Sequence, residues 1–333
     1  MTDVTVLGSG IVGLWTADIL SRNGHQVRVV SHVHPFGSTS AAASAVLVPF
    51  LPGDPRSETF QRSLRWADET VAHLLSRDLP DGALSKITCV EFGRKGVVEY
   101  SFPVASLTHL TFSEFALLDL SRTISGCDMA VKFDCYLCDS WLVLNWLHTS
   151  LSRRGVRFEY RNLTSLVELD DINSNIFVNC LGYQTLFPDD ELYPVFGQAM
   201  FVPAGGAGPP YYGIGAGEHA VFIHPRGFHI GAFFIPDDAG PSPRRDLHER
   251  SRTFLTGPFI EMSAEIGLAA PHVDIDQADW VHSGIRPFRR SGPRVELDLV
   301  RGKTVVHNYG HGAHGWTLGY GSSLAAVQLA GLC

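Results

Sequence analysis

Residues 307–323, HNYGHGAHGWTLGYGSS, hold five glycines and three histidines in seventeen positions. Two chemistries could use such a stretch. Convergent imidazoles could bind a metal, or bare backbone could wrap a flat ring that bulkier residues would keep away. His307, His311 and His314 lie four and three apart, and the glycines between them deny the helix that would align them, so no metal is expected. Near the other end stands Gly8-Ser9-Gly10-Ile11-Val12-Gly13. Gly8 permits a tight turn, Gly10 lets backbone approach a pyrophosphate, and Gly13 lets a helix pack close to a strand. A third candidate is Arg286 in GIRPFR, whose guanidinium could grip a carboxylate with two hydrogen bonds or form a surface ion pair.

These residues need a frame. Val4 to Leu7 reads as a buried strand, the glycine turn follows, and LWTADILSRNGHQ reads as a helix ending at Asn23-Gly24. Val27 to Val30 is a second strand, which completes a βαβ unit of the kind that holds a dinucleotide on a helix N-terminus. The usual acid at the end of that second strand is missing, and Ser31 takes its place. Further on, residues 58–76 read as a helix, 87–102 and 130–138 as strands, and 140–154 as a helix. Residues 156–160 and 175–180 read as strands. Residues 195–235 read as an antiparallel sheet interrupted by a Gly/Pro loop, 295–308 as two strands, and 322–331 as the last helix.

The chain of 333 residues is 45% hydrophobic and 18% charged, enough for one large core or two joined domains. A net charge of −8 with no basic run argues against nucleic acid as a partner. No run of about 18 apolar residues suggests a membrane span. Six cysteines are too few for a disulfide scaffold, and the start MTDVTVLGSG is not a signal peptide, so the expectation is a cytoplasmic protein. Cys135 and Cys138 sit in an apparent strand and read as two half-buried thiols, not a redox pair.

Four segments together resemble the D-amino-acid oxidase family, which includes D-aspartate and glycine oxidases: VLGSGIVGLWTA, GSTSAAASAVLVPF, GIRPFR and the opening stretch. Weaker similarity covers RRGVRFEYRNL, FVNCLG and FGQAMFV. The resemblance implies an α/β fold, with a Rossmann-like FAD-binding domain and an inserted α+β substrate domain built on a mainly antiparallel sheet. The FAD-binding part would comprise residues 1–50, about 140–182 and 300–333. The substrate part would comprise about 51–139 and 183–299.

The resemblance also implies roles. FAD would be held by Gly8, Gly10, Ile11, Gly13, Ser31, Ser38, Thr39, Ser40, Leu163, Gly182, Gly312, Ala313, Gly315, Trp316 and Thr317. Backbone N–H groups of residues 310–317 would stabilise negative charge on the reduced flavin. Arg286 would grip the substrate carboxylate. Several positions depart from the family pattern. Phe222 stands where a tyrosine usually helps the arginine, Glu218 where the lid offers an aromatic, and Phe50 and Val48 where polar groups are common. His314 replaces a tyrosine and Ala313 a glycine. Glu218 could welcome a basic side chain.

The implied reaction is hydride transfer from the α-carbon of a D-amino acid or related amine to flavin N5. The imine then hydrolyses, and O2 reoxidises the flavin to give H2O2, with no catalytic base required. One alternative is a flavin oxidase or dehydrogenase of a dedicated biosynthetic pathway, acting on an unusual amino acid, hydrazine or cyclic amine. Another, of a different class, is a nicotinamide-binding or non-catalytic protein. The partners implied are a small amine or amino acid and O2. A homodimer stays open. The ending Gly-Leu-Cys is not a peroxisomal tripeptide.

Overall fold

The computed structural model describes residues 2–48, 54, 56–95, 115–204, 210–231, 233–240 and 242–333. Phe50, the end of the strand expected over 87–102, and residues 205–209 of the Gly/Pro loop lie outside the described residues.

The βαβ unit forms as its residues dictate. β1 (Asp3–Leu7) leads through the glycine turn into α1 (Ile11–Arg22), and β2 (Gln26–Ser31) returns parallel to β1. Asn23 caps α1, and Gly24 takes the left-handed conformation with φ +82°. A six-stranded sheet grows around this unit in the order β15-β16-β8-β1-β2-β7, using β7 (Arg157–Tyr160), β8 (Ile176–Asn179), β15 (Arg294–Val300) and β16 (Lys303–Tyr309). Its pairs are parallel except β15–β16. Both faces are buried. Val4, Val6, Val27, Val29 and Val306 pack with Leu14, Leu144 and Leu147, while Leu7, Val30, Phe177 and Val305 pack with Leu169 and Ile172. Leu144 and Leu147 belong to α3 (Ser140–Arg153), which ends at Gly155 with φ +85°.

The last helix, α6 (Gly315–Leu329), starts seven residues earlier than the glycines suggested. Helix–helix packing overrides propensity here. A Cβ at Gly321 would lie 2.5 Å from the Trp66 carbonyl oxygen of α2 (Glu58–Leu75), and one at Gly319 would touch Trp15 of α1. Thr16 of α1 donates to Ser323 of α6 at 3.0 Å.

The second sheet contains β3 (Val46–Leu47), β4 (Leu84–Gly93), β5 (Phe115–Ile124), β6 (Cys127–Cys138), β9 (Leu192–Pro203), β10 (Tyr212–Ala216), β11 (His219–His224), β12 (Gly227–Gly231), β13 (Ile235–Pro236) and β14 (Trp280–Arg289). The order is β13-β9-β12-β11-β10-β4-β6-β3, with β14 also on β9 and β5 also on β6. β4–β10 is parallel, and the other pairs run antiparallel. α4 (Arg245–Thr256) and α5 (Pro258–Glu265) cover one face through Phe254, Leu255, Phe259 and Met262.

Sheet membership cuts across the expected boundaries at two points. β15 joins the first sheet although it begins before residue 300, and β3 joins the second although it precedes residue 50. Hydrogen-bond pairing decides this, and β15 follows its hairpin partner β16. Cys135 and Cys138 are both fully buried, not half-buried, and the Cys135 sulfur lies 3.4 Å from that of Cys89 on the neighbouring strand. Among the described residues no helix is long and apolar enough to cross a membrane.

Candidate functional site

The glycines of the first turn divide the work. Gly8 has φ +105° and donates to Val30 O at 2.8 Å, and a Cβ there would lie 2.5 Å from the Cys180 carbonyl oxygen. A Cβ at Gly13 would lie 3.0 Å from the Gly8 carbonyl carbon. Both positions are closed by the protein's own backbone. Among the described residues a Cβ at Gly10 would meet only the Ser40 hydroxyl, at 3.1 Å, and none of their backbone closes the turn where a phosphate would come. The first helical N–H, that of Ile11, donates to Ser40 Oγ at 3.0 Å, and the first turn of α1 carries no acidic residue.

The three consecutive hydroxyls expected to hold FAD, Ser38, Thr39 and Ser40, do not act alike. Ser40 caps α1. Ser38 donates to Pro35 O at 2.5 Å, and Thr39 donates to Ile285 O at 3.4 Å on the strand that carries Arg286. Ser31 is buried and accepts from Ser9 Oγ at 3.0 Å. Leu163 packs on the Leu169–Ile172 cluster. Gly182 has φ +67°, and a Cβ there would approach Pro287 at 3.8 Å.

The C-terminal stretch meets this turn. The indole N–H of Trp316 donates to Ser40 O at 3.1 Å, and Gly315 lies over Ile11. Thr317 is 1% exposed, and its hydroxyl has no hydrogen-bond partner among the described residues. Gly310 and Gly312 take φ +83° and +58°, and Gly312 N–H donates to Pro287 O at 2.8 Å. A Cβ at Gly312 would lie 2.7 Å from the Phe288 ring. Ala313 is exposed, and His314 caps α6. The histidines face different partners. His307 Nδ1 lies 3.1 Å from Asn179 Nδ2, and His311 Nε2 lies 2.9 Å from Ser322 Oγ. Burial, helped by His314, pushes His311 down to about 4.

Arg286 is placed by what its neighbours lack. Its side chain runs across β9, and a Cβ at Gly197 would stand 2.5 Å from the guanidinium carbon. The guanidinium donates to Phe233 O at 2.6 Å and Phe196 O at 3.3 Å. Among the described residues no carboxylate pairs with it, and burial lowers its pKa to about 10. Arg289 is committed elsewhere, to Asp189 at 2.9 Å and Glu191 at 2.6 Å. Asp189 also accepts from Tyr309 Oη at 2.7 Å, which ties the glycine loop to the arginine strand.

Glu218 occupies other surroundings than the resemblance suggested, while Phe222 lies on the sheet face that also carries Arg286. The Phe222 ring covers Gly213 and Cys89. Glu218 stands in the tight turn between β10 and β11, ion-paired to Arg250 of α4, so its charge is already answered. Sequence reasoning missed Gly197, Asp189 and Glu91. Glu91 is half-buried on β4 and pairs with Gly215 of β10, where a Cβ would lie 2.7 Å from its carboxyl carbon. Burial pushes Glu91 up to about 8. The available signal was one acid inside the apolar run ITCVEF.

A family model described as FAD dependent oxidoreductase matches residues 3–329. The chain belongs to the FAD-dependent oxidoreductase family. It is 27% identical to a D-amino-acid oxidase from Rubrobacter xylanophilus, over 98% of this chain and 95% of the relative. It is 25% identical to a D-amino-acid oxidase from Schizosaccharomyces pombe, over 98% and 96%. Its fold matches an L-alpha-glycerophosphate oxidase from Mycoplasma pneumoniae with FAD bound, at TM-score 0.73 and 16% identity, over 99% of this chain and 94% of that one.

The residues of this FAD-dependent oxidoreductase fit that cofactor. Among the described residues the α1 N-terminus is open at Gly10, a buried Thr317 hydroxyl lacks a partner, and Trp316 joins the two segments through Ser40. Backbone N–H groups of α6's first turn point the same way as any helix N-terminus, toward negative charge.

Proposed function

We propose that this FAD-dependent oxidoreductase is an amino-acid oxidase that binds its substrate carboxylate on Arg286 and oxidises the α-amine. The observation that carries the reading is the half-buried Arg286 guanidinium, held on two backbone carbonyls with no carboxylate partner among the described residues. A partly desolvated cation without a counter-charge is costly, and an anionic ligand relieves that cost. The names of the 25–27% identical relatives favour a D-amino acid.

FAD, when bound, would supply the two-electron acceptor, and O2 would be the terminal oxidant, reduced to H2O2. The chain's own part is alignment. Gly197 gives the Arg286 side chain its path, and the Phe196 and Phe233 carbonyls hold the planar fork in one orientation. Thr317 and the first N–H groups of α6 offer donors to a ring edge carrying developing negative charge. No general base is assigned, because a neutral amine needs only to be held with its α-hydrogen facing the acceptor. The test is anaerobic: flavin absorbance is followed while D- and L-amino acids, glycine and cyclic imino acids are added. Bleaching by an amino acid, lost in Arg286→Ala, supports the reading. Bleaching indifferent to Arg286 overturns it.

A further inference from the structure

Register alone places Glu91 and Arg286 on one face of the second sheet. The direct cross-strand pairs run Arg286–Val195, Phe201–His229, His229–Phe222, Phe222–Gly213 and Gly213–Cys89, and partners in a direct pair share a face. Val195 and Phe201 share a face because strand alternation has period two, as do Cys89 and Glu91. This is the face turned away from α4 and α5, whose contacts are Val90, Ile214, Val221 and Ile230.

The row between the two charged groups is made of small residues. Glu91 pairs with Gly215, Gly215 with Ala220, Ala220 with Gly231, and Gly231 abuts Ala199. Phe222, His229 and Phe201 form the adjoining row and supply a bulky flank. The Glu91 carboxyl lies over Gly215 of β10, and the Arg286 guanidinium lies over Gly197 of β9 and reaches Phe233 O beyond it. They stand two to three strand spacings apart across the sheet and two residues apart along it, about 12–16 Å. Among the described residues no cation lies within ion-pair distance of Glu91.

We propose that Glu91 is a specificity-determining residue that receives a cationic group at the far end of the substrate, so that the substrate class is a basic amino acid of lysine, ornithine or arginine length. The inference rests on the reading of Arg286 as the carboxylate anchor. An extended lysine-length chain spans roughly 7–8 Å from carboxylate to terminal nitrogen, and a hydrogen bond of about 3 Å at each end brings the total to roughly 13–14 Å. That length falls within the separation, and the row between the two groups carries no side chain larger than a methyl. Burial favours the neutral form of Glu91, so an arriving ammonium supplies the charge that its surroundings lack.

The probes are 6-aminohexanoate and hexanoate, titrated into the FAD-loaded enzyme and read by perturbation of the flavin spectrum. The expected result is at least tenfold tighter binding of the amino acid, reduced to parity in Glu91→Gln with hexanoate affinity unchanged. Gly215→Ala, whose methyl displaces the carboxyl, gives the same loss through a second route. Equal binding of the two probes in the unaltered enzyme, or a preference that survives both variants, overturns the inference. Arg286→Ala separates the two readings. If hexanoate binding depends on Arg286 while the amino group brings no advantage, the carboxylate anchor stands and the role of Glu91 falls. If neither probe binding depends on Arg286, both fall.

Discussion

The Arg286 side chain lies across Gly197, within 2.5 Å of where a Cβ would stand. The obstructed atoms are the mobile end of a long side chain, so a methyl at position 197 displaces the guanidinium without breaking the sheet. Gly197→Ala is expected to raise KM for any carboxylate substrate by about 10–100-fold, the cost of one or two charged hydrogen bonds. Tm and flavin content stay near those of the unaltered enzyme. Steady-state kinetics beside a melting curve checks both halves.

Thr317 gives a different split. Its hydroxyl is buried without a partner among the described residues, so Thr317→Val should leave the FAD-free chain as stable or slightly more stable. The FAD-loaded form should lose about 1 kcal/mol of cofactor affinity and shift to a lower reduction potential. Calorimetry of both forms and a redox titration decide it; a variant that weakens both forms equally shows a merely structural hydroxyl.

Asp18 holds three helices together. Its buried carboxylate meets Arg22 of α1 at 2.8 Å, Arg77 beyond α2 at 3.2 Å, and Arg154 at the end of α3. Asp18→Ala leaves three guanidinium groups facing each other, two of them mostly buried. A loss of about 3–5 kcal/mol is expected, readable as a shift in the urea midpoint.

Buried histidines set the acid side of stability. Burial pushes His224 and His311 down to about 4, and holds His229 well below the usual imidazole range. Between pH 6.5 and 4 the unfolded chain takes up protons that the folded chain refuses, so stability falls as pH drops through that window, by up to about 1.4 kcal/mol per unit for each histidine. Glu91 acts in the opposite sense: its carboxyl is held up to about 8, so folding opposes ionisation and its contribution worsens as pH rises from 4.5 to 8. Glu91→Gln should therefore gain more in Tm at pH 8 than at pH 5. A gain independent of pH refutes this account of Glu91.

The legible parts of this protein are the local ones. Val4–Leu7, the glycine turn and the Asn23-Gly24 stop are neighbours in the chain, and their chemistry is complete within about thirty residues. Arg286 stood out because Gly and Pro flank it in a specific motif. The start of α6 was obscured because Gly319 and Gly321 lower helix propensity, while the contacts that need them, with Trp15 and Trp66, come from distant chain. Glu218 looked free because Arg250 is far from it in sequence. Gly197 and Glu91 acquire meaning only once register sets Gly197 under Arg286 and Gly215 under Glu91. Pairing across a sheet of distant strands has no signature in any one strand.

The seam between α1 and α6 has a consequence for synthesis. Ile11, Leu14, Trp15 and Ile19 emerge from the ribosome early, and their cover includes Trp316, Ala326 and Val327, some three hundred residues later. Until then the first βαβ unit carries an open apolar flank and the cofactor turn lacks its Trp316 brace. Contacts so distant in sequence close slowly and leave partly folded chains prone to association. Truncation before residue 315 removes that cover while leaving the Gly8–Gly13 motif intact, so a shortened chain keeps the motif but exposes the apolar flank of α1.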